Sequence, residues 1–255
     1  MARVYLLARP LFTDAYRALL QDALPPEEAR WAEDEGITPA ERLVEFAGRV
    51  CYMSFGSAQS GRTNAEYIRN LIRNGHESVL EHAGWTFALA GVSRAFTHQL
   101  VRHRPGFSYS QLSQQYHDEI GARFVRPVEL DASPAAAETW ERTIAQAQEA
   151  YRKLIAELSM AGPASLGREA RRALRSAARS ILPNAIESII VVTANARAIR
   201  HFLSVRGGVL GDSEMRTVSA ALLDALRPEA PALFADFIVE YPQDGLPLVR
   251  RVPTK

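Results

Sequence analysis

The sequence predicts a mixed protein of helices and strands folded as one domain over residues 1–255. Three observations carry that expectation. β-type runs at Val4–Ala8, Trp85–Val92 and Ile186–Thr193 alternate with stretches whose apolar residues recur at helical spacing. No internal repeat, low-complexity tract or obvious linker divides the chain. With 255 residues, 47 % hydrophobic and 23 % charged, it has the material for one substantial core.

The elements follow in order. Val4 to Ala8 read as a buried strand and Asp14 to Leu24 as an amphipathic helix. Pro25-Pro26 opens an acidic surface stretch through Gly36. Pro39 then suits the first turn of a helix capped by Thr38. On it Leu43, Phe46, Ala47 and Val50 share one face, expected to be buried, with Cys51 a packed thiol beside them. Phe55 to Arg62 is a Gly/Ser-rich loop. Thr63 and Glu66 have capping-box spacing and Gly75 a helix stop, which predicts a helix over Asn64–Asn74. Trp85–Val92 is a strand, and Ser93 caps a helix on which Gln99, Arg102 and His103 fall at i, i+3 and i+4. Arg123 to Leu130 reads as a further strand. Residues 134–161 and about 167–181 are helical, with Pro183 ending the second. After the strand Ile186–Thr193, a helix from Asn195 ends at Arg206 before Gly207-Gly208, with Arg197 and His201 on one face. Helices over about Asp212–Leu226 and just before Phe237 precede an irregular tail.

Composition excludes several classes. A net charge of +1 gives no field for non-specific nucleic-acid binding. One cysteine excludes an intrachain disulfide framework and fits a reducing compartment. No window approaches the ~20 apolar residues of a membrane span. The N-terminus reads as a strand and not as a signal peptide, so a cytoplasmic protein is expected. Gly-x-Gly-x-x-Gly, phosphate-loop and Gly-x-Ser-x-Gly patterns are absent. His76 and His82 stand six residues apart, off a common helical face, and no third ligand is evident; no metal site is expected.

The informative stretch runs from Arg102 to Tyr116. Arg102-His103-Arg104 places two guanidinium forks around an imidazole, Pro105-Gly106 breaks any helix, and hydroxyl and amide side chains follow. Guanidinium forks suit phosphate or carboxylate, while Ser and Gln suit the polar edge of a base or flavin. With residues 75–82 and 179–206 added, the chain offers Arg, His, Asn and Gln in three places. Such a set suits a ligand with phosphates and a planar polar ring. Its chemistry is positioning and electrostatic stabilisation, with any reactive centre supplied by a cofactor.

Those segments resemble the flavin-dependent thymidylate synthases along nearly the whole chain. The resemblance is carried by Glu45-Phe46-Ala47-Gly48-Arg49-Val50-Cys51-Tyr52, Gly75-His76 through Glu81-His82, Arg102-His103-Arg104 with Ser113, Arg179 to Pro183, Asn195-Ala196-Arg197, and Phe202 to Arg206. It implies an α+β fold, a single domain with a central, mostly antiparallel sheet flanked by helices, assembling as a homotetramer with active sites where subunits meet. It also implies FAD, NADPH and 5,10-methylenetetrahydrofolate, used to methylate uracil C5 of dUMP to give dTMP. By that analogy Ser78, Arg102, His103, Arg104, Asn195, Arg197 and His201 contact FAD. Gln99, Arg102, Gln111, Leu112, Ser113, Gln114, Gln115, Arg179 and Arg206 hold the nucleotide. Arg206 polarises the uracil at its N3 side, Ser113 is a positioning group, and His76 lies near the flavin and the folate or NADPH. The small-molecule nucleotide is the expected partner, with no nucleic acid and no membrane.

Three features depart from the family pattern. Residues 105–112 make eight between Arg104 and Ser113 where the family usually has seven; Gln115 stands where it usually has arginine; Leu210 stands where it usually has histidine. These leave UMP open as a substrate beside or instead of dUMP. A non-catalytic flavin- or nucleotide-binding protein, or an RNA-binding module using the basic loop, is the reading from another class. The near-neutral net charge argues against the RNA module, and retention of Arg206 against a dead enzyme.

Overall fold

The computed structural model describes residues 2–59, 61–161 and 167–253. Its elements run β1 (Arg3–Ala8), α1 (Ala15–Ala23), α2 (Pro39–Val50), α3 (Asn64–Arg73), β2 (Gly84–Ser93), α4 (Arg94–Leu100), β3 (Phe107–Gln111), α5 (Pro134–Met160), α6 (Arg168–Ala178), β4 (Glu187–Asn195), α7 (Ala196–Arg206), α8 (Ser213–Leu226), β5 (Phe237–Glu240) and β6 (Leu248–Arg251). A four-stranded sheet has the order β1-β2-β4-β3, and β5-β6 form an antiparallel ribbon. The main-chain bonds Leu112 N–H to Ile189 O (2.9 Å) and Asn195 N–H to Gly106 O (3.2 Å) fix β3 antiparallel to β4. The bond from Ala196 N–H to Ala83 O and the Thr86–Thr193 hydroxyl pair do the same for β2 and β4. The fold is α+β, as the resemblance implies.

The chain divides into two compact units. One comprises Met1–Arg3, Leu89–Arg102 and Tyr109–Val191; the other comprises Val4–Ala88, His103–Ser108 and Val192–Lys255. In the first, Leu89, Val92, Phe96, Leu100, Tyr151 and Ile190 are buried. In the second, alternation along β2 buries Trp85 and Phe87, and Phe202, Leu203, Leu223 and Phe234 are buried as well.

Local signals give the firm boundaries. Thr63 and Glu66 form the reciprocal capping box of α3, and the Thr38, Ser93 and Asn195 side chains cap α2, α4 and α7. Other expectations are corrected. The buried face of α2 is Ala40, Glu41, Val44, Glu45, Gly48 and Arg49; Leu43, Phe46 and Ala47 are half-buried and Val50 is exposed. The cause is a buried polar network. Glu45 accepts from Arg49 Nε (2.7 Å) and Asn64 Nδ2 (2.7 Å), and the Arg49 guanidinium lies 4.7 Å above the Tyr67 ring. Phe46 instead joins a partly buried aromatic cluster with Phe12, Tyr16, Trp31 and Phe55. Cys51, just beyond this helix, is exposed and not packed.

Arg123–Leu130 is not a strand: only Phe124 makes an isolated bridge, to Ile186, and Val128–Ala132 is a 3₁₀ turn. The stretch before Phe237 is a series of turns, and the tail is not irregular but carries the β5-β6 ribbon. Residue 60 of the predicted Phe55–Arg62 loop lies outside the described residues. No helix among the described residues is long and apolar enough to cross a membrane.

Candidate active site

In the second unit the predicted residues gather around the start and end of α7. Asn195 accepts from Ala198 N–H (2.9 Å) through its side chain, while its own N–H donates to Gly106 O (3.2 Å). Gly106 has φ +72°, and a Cβ there would lie 2.8 Å from Ala198 Cβ and from the Asn195 amide. A side chain at this point would be strained and would collide with the start of α7, so glycine is the residue that fits it.

At the other end of α7, Arg206 Nε donates to His103 Nε2 at 3.0 Å. The imidazole meets the Phe202 ring edge-on at 5.2 Å, and the Phe107 and His201 rings lie 6.1 and 6.2 Å away. Burial, then the Arg206 and His201 charges, hold the His103 pKa below its ordinary value. The ring is therefore neutral near pH 7, the state in which Nε2 can accept. Arg197 Nη1 bonds Glu81 at 2.6 Å, and its Nε stands 3.7 Å from Glu77. The acids of the 75–82 segment thus serve a guanidinium. That segment is a 3₁₀ turn, Glu77–His82, with His76 at its head and Ser78 exposed within it. Arg104 is exposed.

The first unit holds the remaining predicted residues. Gln111 Nε2 donates to Thr97 Oγ1 (2.8 Å) and Ser188 Oγ (3.1 Å), which fixes the end of β3. Leu112 follows, bonded to Ile189, and Ser113 opens a turn whose carbonyl accepts from the Tyr116 and His117 amides. The Ser113 hydroxyl accepts from Gln115 N–H. Gln114 is buried and lines a cleft of about 430 Å³ together with Arg94, Ser176, Arg179 and Asn184. Gln115 accepts from Arg172 Nε (2.9 Å) and donates to Ser176 Oγ. Gln99 and Arg102 are exposed outside this cleft. α4 ends at Leu100, so the helical face expected to carry Gln99, Arg102 and His103 together does not form.

Arg94 was not among the residues singled out from sequence. A signal was present: it is the first residue of α4, where the helix dipole disfavours a cation. Its amide donates to Ile186 O (3.0 Å) and that of Ala95 to Asn184 O (2.9 Å), which locks the helix start against the cleft wall. Burial, and then the Arg179 charge, lower the Arg94 pKa from its ordinary value.

A family model described as "Thymidylate synthase complementing protein" matches residues 36–232. The chain is 43 % identical over 228 residues to the flavin-dependent thymidylate synthase of Mycobacterium avium (strain 104), covering 88 % of this chain and 89 % of that one. It is 41 % identical over 249 residues to that of Mycobacterium sp. (strain JLS), covering 95 % and 92 %. With that of Mycobacterium tuberculosis (strain ATCC 25618 / H37Rv) it shares 42 % over 228 residues, covering 88 % and 89 %. The chain belongs to the flavin-dependent thymidylate synthase family. It is therefore an enzyme, and the family's name implies a flavin.

The residues around α7 fit such a group. A flavin presents a planar ring whose polar edge is rich in acceptors. Arg104, Asn195, Arg197, His201 and Ser78 are donors of the matching kinds. The two carboxylates in this part of the flavin-dependent thymidylate synthase-type chain, Glu77 and Glu81, are paired with Arg197. Leu210 is exposed at 68 % and supplies no donor.

Proposed function

We propose that this enzyme methylates uracil C5 of dUMP, giving dTMP, with 5,10-methylenetetrahydrofolate as the one-carbon donor. FAD, reduced by NADPH, supplies the electrons that make the transferred methylene a methyl group. The observation that carries the reading is the Arg206–His103 pair, a cation held by a neutral acceptor. Arg206 keeps its full charge while its direction is fixed, which suits a group that stabilises charge developing on a uracil ring. Ser78, Arg102, His103, Arg104, Asn195, Arg197 and His201 hold FAD. Gln99, Arg102, Gln111, Leu112, Ser113, Gln114, Gln115, Arg179 and Arg206 hold the nucleotide. Ser113 orients it, its hydroxyl already engaged with the Gln115 amide and having no base beside it that the residues described identify. His76 stands by the flavin and by the folate or NADPH.

The working form in this proposal is a single-domain, cytoplasmic homotetramer whose active sites form where subunits meet. Gln115 favours a second reading of substrate choice. It brings no fixed charge to the nucleotide loop and is committed to Arg172 and Ser176, so a pocket that admits the 2′-hydroxyl of UMP is the alternative.

The test supplies FAD, NADPH and methylenetetrahydrofolate with dUMP or UMP and reads the product by mass spectrometry. Methylated dUMP is the expected result, and comparable methylation of UMP would establish the alternative. A colourless protein that methylates neither and binds RNA in a salt-sensitive way would overturn both.

A further inference from the structure

We infer that Gly207 and Val249 are positioning residues for Arg206: the C-terminal ribbon packs against the residue that follows Arg206 and sets where its guanidinium stands. The inference rests on Arg206 as the group that acts on the uracil, and adds the part of the chain that aims it. α7 ends at Arg206. Gly207 is buried, and its N–H donates to Leu203 O at 3.0 Å while its carbonyl accepts from Val249 N–H of β6 at 3.0 Å. Its φ of −65° and ψ of −24° are right-handed helical values that any residue adopts. Backbone freedom is therefore not what calls for glycine here. Space is: a Cβ would lie 2.6 Å from Val249 Cβ and 2.7 Å from Leu203 O.

β6 is itself anchored at both ends. Ahead of it, Arg216 of α8 bonds Pro247 O (2.8 Å), Leu246 O (2.8 Å) and the Asp244 carboxylate. Behind it, Arg251 Nε bonds the Asp236 carboxylate (2.7 Å) and Val252 N–H donates to Asp236 O (2.7 Å). Asp236 also holds Arg200, which lies on α7 six residues before Arg206. The ribbon thus grips α7 twice, through a carboxylate at Arg200 and through close backbone contact at Gly207. Arg206 stands directly beside the second grip, with its Nε on His103 Nε2. The ribbon lies beyond residue 232, where the match to the family model ends. That match includes Arg206 but not the strand that aims it.

The expected effect follows from the geometry. Carbon atoms in contact ordinarily stand ~3.5–4.0 Å apart, so relieving the Val249 collision takes a shift of about 1 Å. A displacement of that size at a catalytic group costs about a hundredfold in rate. The test compares FAD-loaded wild type with Gly207→Ala, Val249→Ala and, as control, Gly211→Ala, whose added Cβ meets nothing within 4 Å. For each, kcat and KM are measured with dUMP, melting curves are recorded, and the His103 ring is titrated by NMR without substrate, using isotope-labelled histidine. The charges acting on that ring are those of Arg206 and His201, and both lower its pKa. Moving Arg206 off the ring therefore raises the His103 midpoint.

Gly207→Ala should lose at least tenfold in kcat with less than about threefold change in KM, and its His103 midpoint should rise. Val249→Ala keeps the main-chain bond but empties the space beside Gly207, and should move both readouts the same way by less. Gly211→Ala should match wild type. A Gly207→Ala enzyme that melts lower yet keeps wild-type kcat and a wild-type His103 midpoint would overturn the inference, because the ribbon would then serve stability alone. If Gly207→Ala does not fold, the same two readouts in Val249→Ala decide, and wild-type values in both would overturn it. A wild-type enzyme that methylates neither dUMP nor UMP would overturn the reading of Arg206 as the group acting on uracil; the His103 midpoint, read without substrate, tests the seating of Arg206 separately.

Discussion

Arginine plays opposite parts in two regions of this molecule. Near the C-terminus, Arg200 is buried and bonds both oxygens of Asp236 at 2.6 Å, with Leu233 O as a further acceptor. Arg216, also buried, is bonded to Asp244 through both terminal nitrogens and to the carbonyls of Leu246 and Pro247. These guanidiniums tie the β5-β6 ribbon and the chain around it into place. In the cleft at the start of α4, Arg94 and Arg179 have no such partners among the described residues. Desolvating a guanidinium is costly unless an anion repays it. Where the anion is a side chain, the residue serves the fold; where it is missing, the cation is available to a ligand. Arg206 is intermediate. Its partner is a neutral imidazole, which gives direction without cancelling charge.

The sharpest way to break this division is to remove one arginine of each kind. Arg200→Met should cost about 3–5 kcal/mol of stability, because Asp236 is left buried with only the exposed Arg251 to compensate it. Urea unfolding reads this directly, and a midpoint equal to wild type would show that the pair does not support the fold. Arg206→Ala should do the reverse. The expected loss is about 10²–10³-fold in kcat, typical of removing one preorganised electrostatic group, with little change in melting temperature.

A smaller effect concerns pH. Because the folded-state pKa of His103 lies below its ordinary 6.5, the unfolded chain takes up this proton more readily. The stability held by neutral His103 is complete above about pH 6.5 and is lost as pH falls through the lowered pKa. Protonation also removes the acceptor of Arg206. His103→Gln should therefore melt with a shallower dependence between pH 7 and pH 5 than wild type; parallel curves would contradict the neutral-acceptor role. The smallest change expected is in specificity. Gln115→Arg should shift the ratio of kcat/KM for UMP and dUMP toward dUMP, and an unaltered ratio would make Gln115 irrelevant to the choice.

What could be read from sequence was what short-range chemistry determines. The caps at Thr38, Thr63, Ser93 and Asn195 act within one turn, so their residues reveal them. The face of α2 was misread because Glu45, Arg49 and Asn64 are buried by pairing with one another. A hydrophobic pattern registers apolar residues and is blind to polar groups that satisfy each other across the chain. The β5-β6 ribbon escaped notice because its strands have four residues each, too few to display an alternation. Arg206, His103, Asn195 and Arg197 are candidates through a family pattern alone, and nothing in that pattern indicates that Arg197 is paired with Glu77 and Glu81. Arg94 draws no notice in the sequence because the cleft it shares with Arg179 joins positions eighty-five residues apart in the chain.

The measurement that bears most directly on the division between paired and available cations is methyl transfer to dUMP and to deoxyuridine by the complete enzyme, under identical FAD, NADPH and methylenetetrahydrofolate. Efficient methylation of dUMP with little or none of deoxyuridine is expected, since the unpaired guanidiniums would then have no anion to hold. Equal methylation of both would show that the phosphate is not recognised, and would contradict the division between paired and available cations.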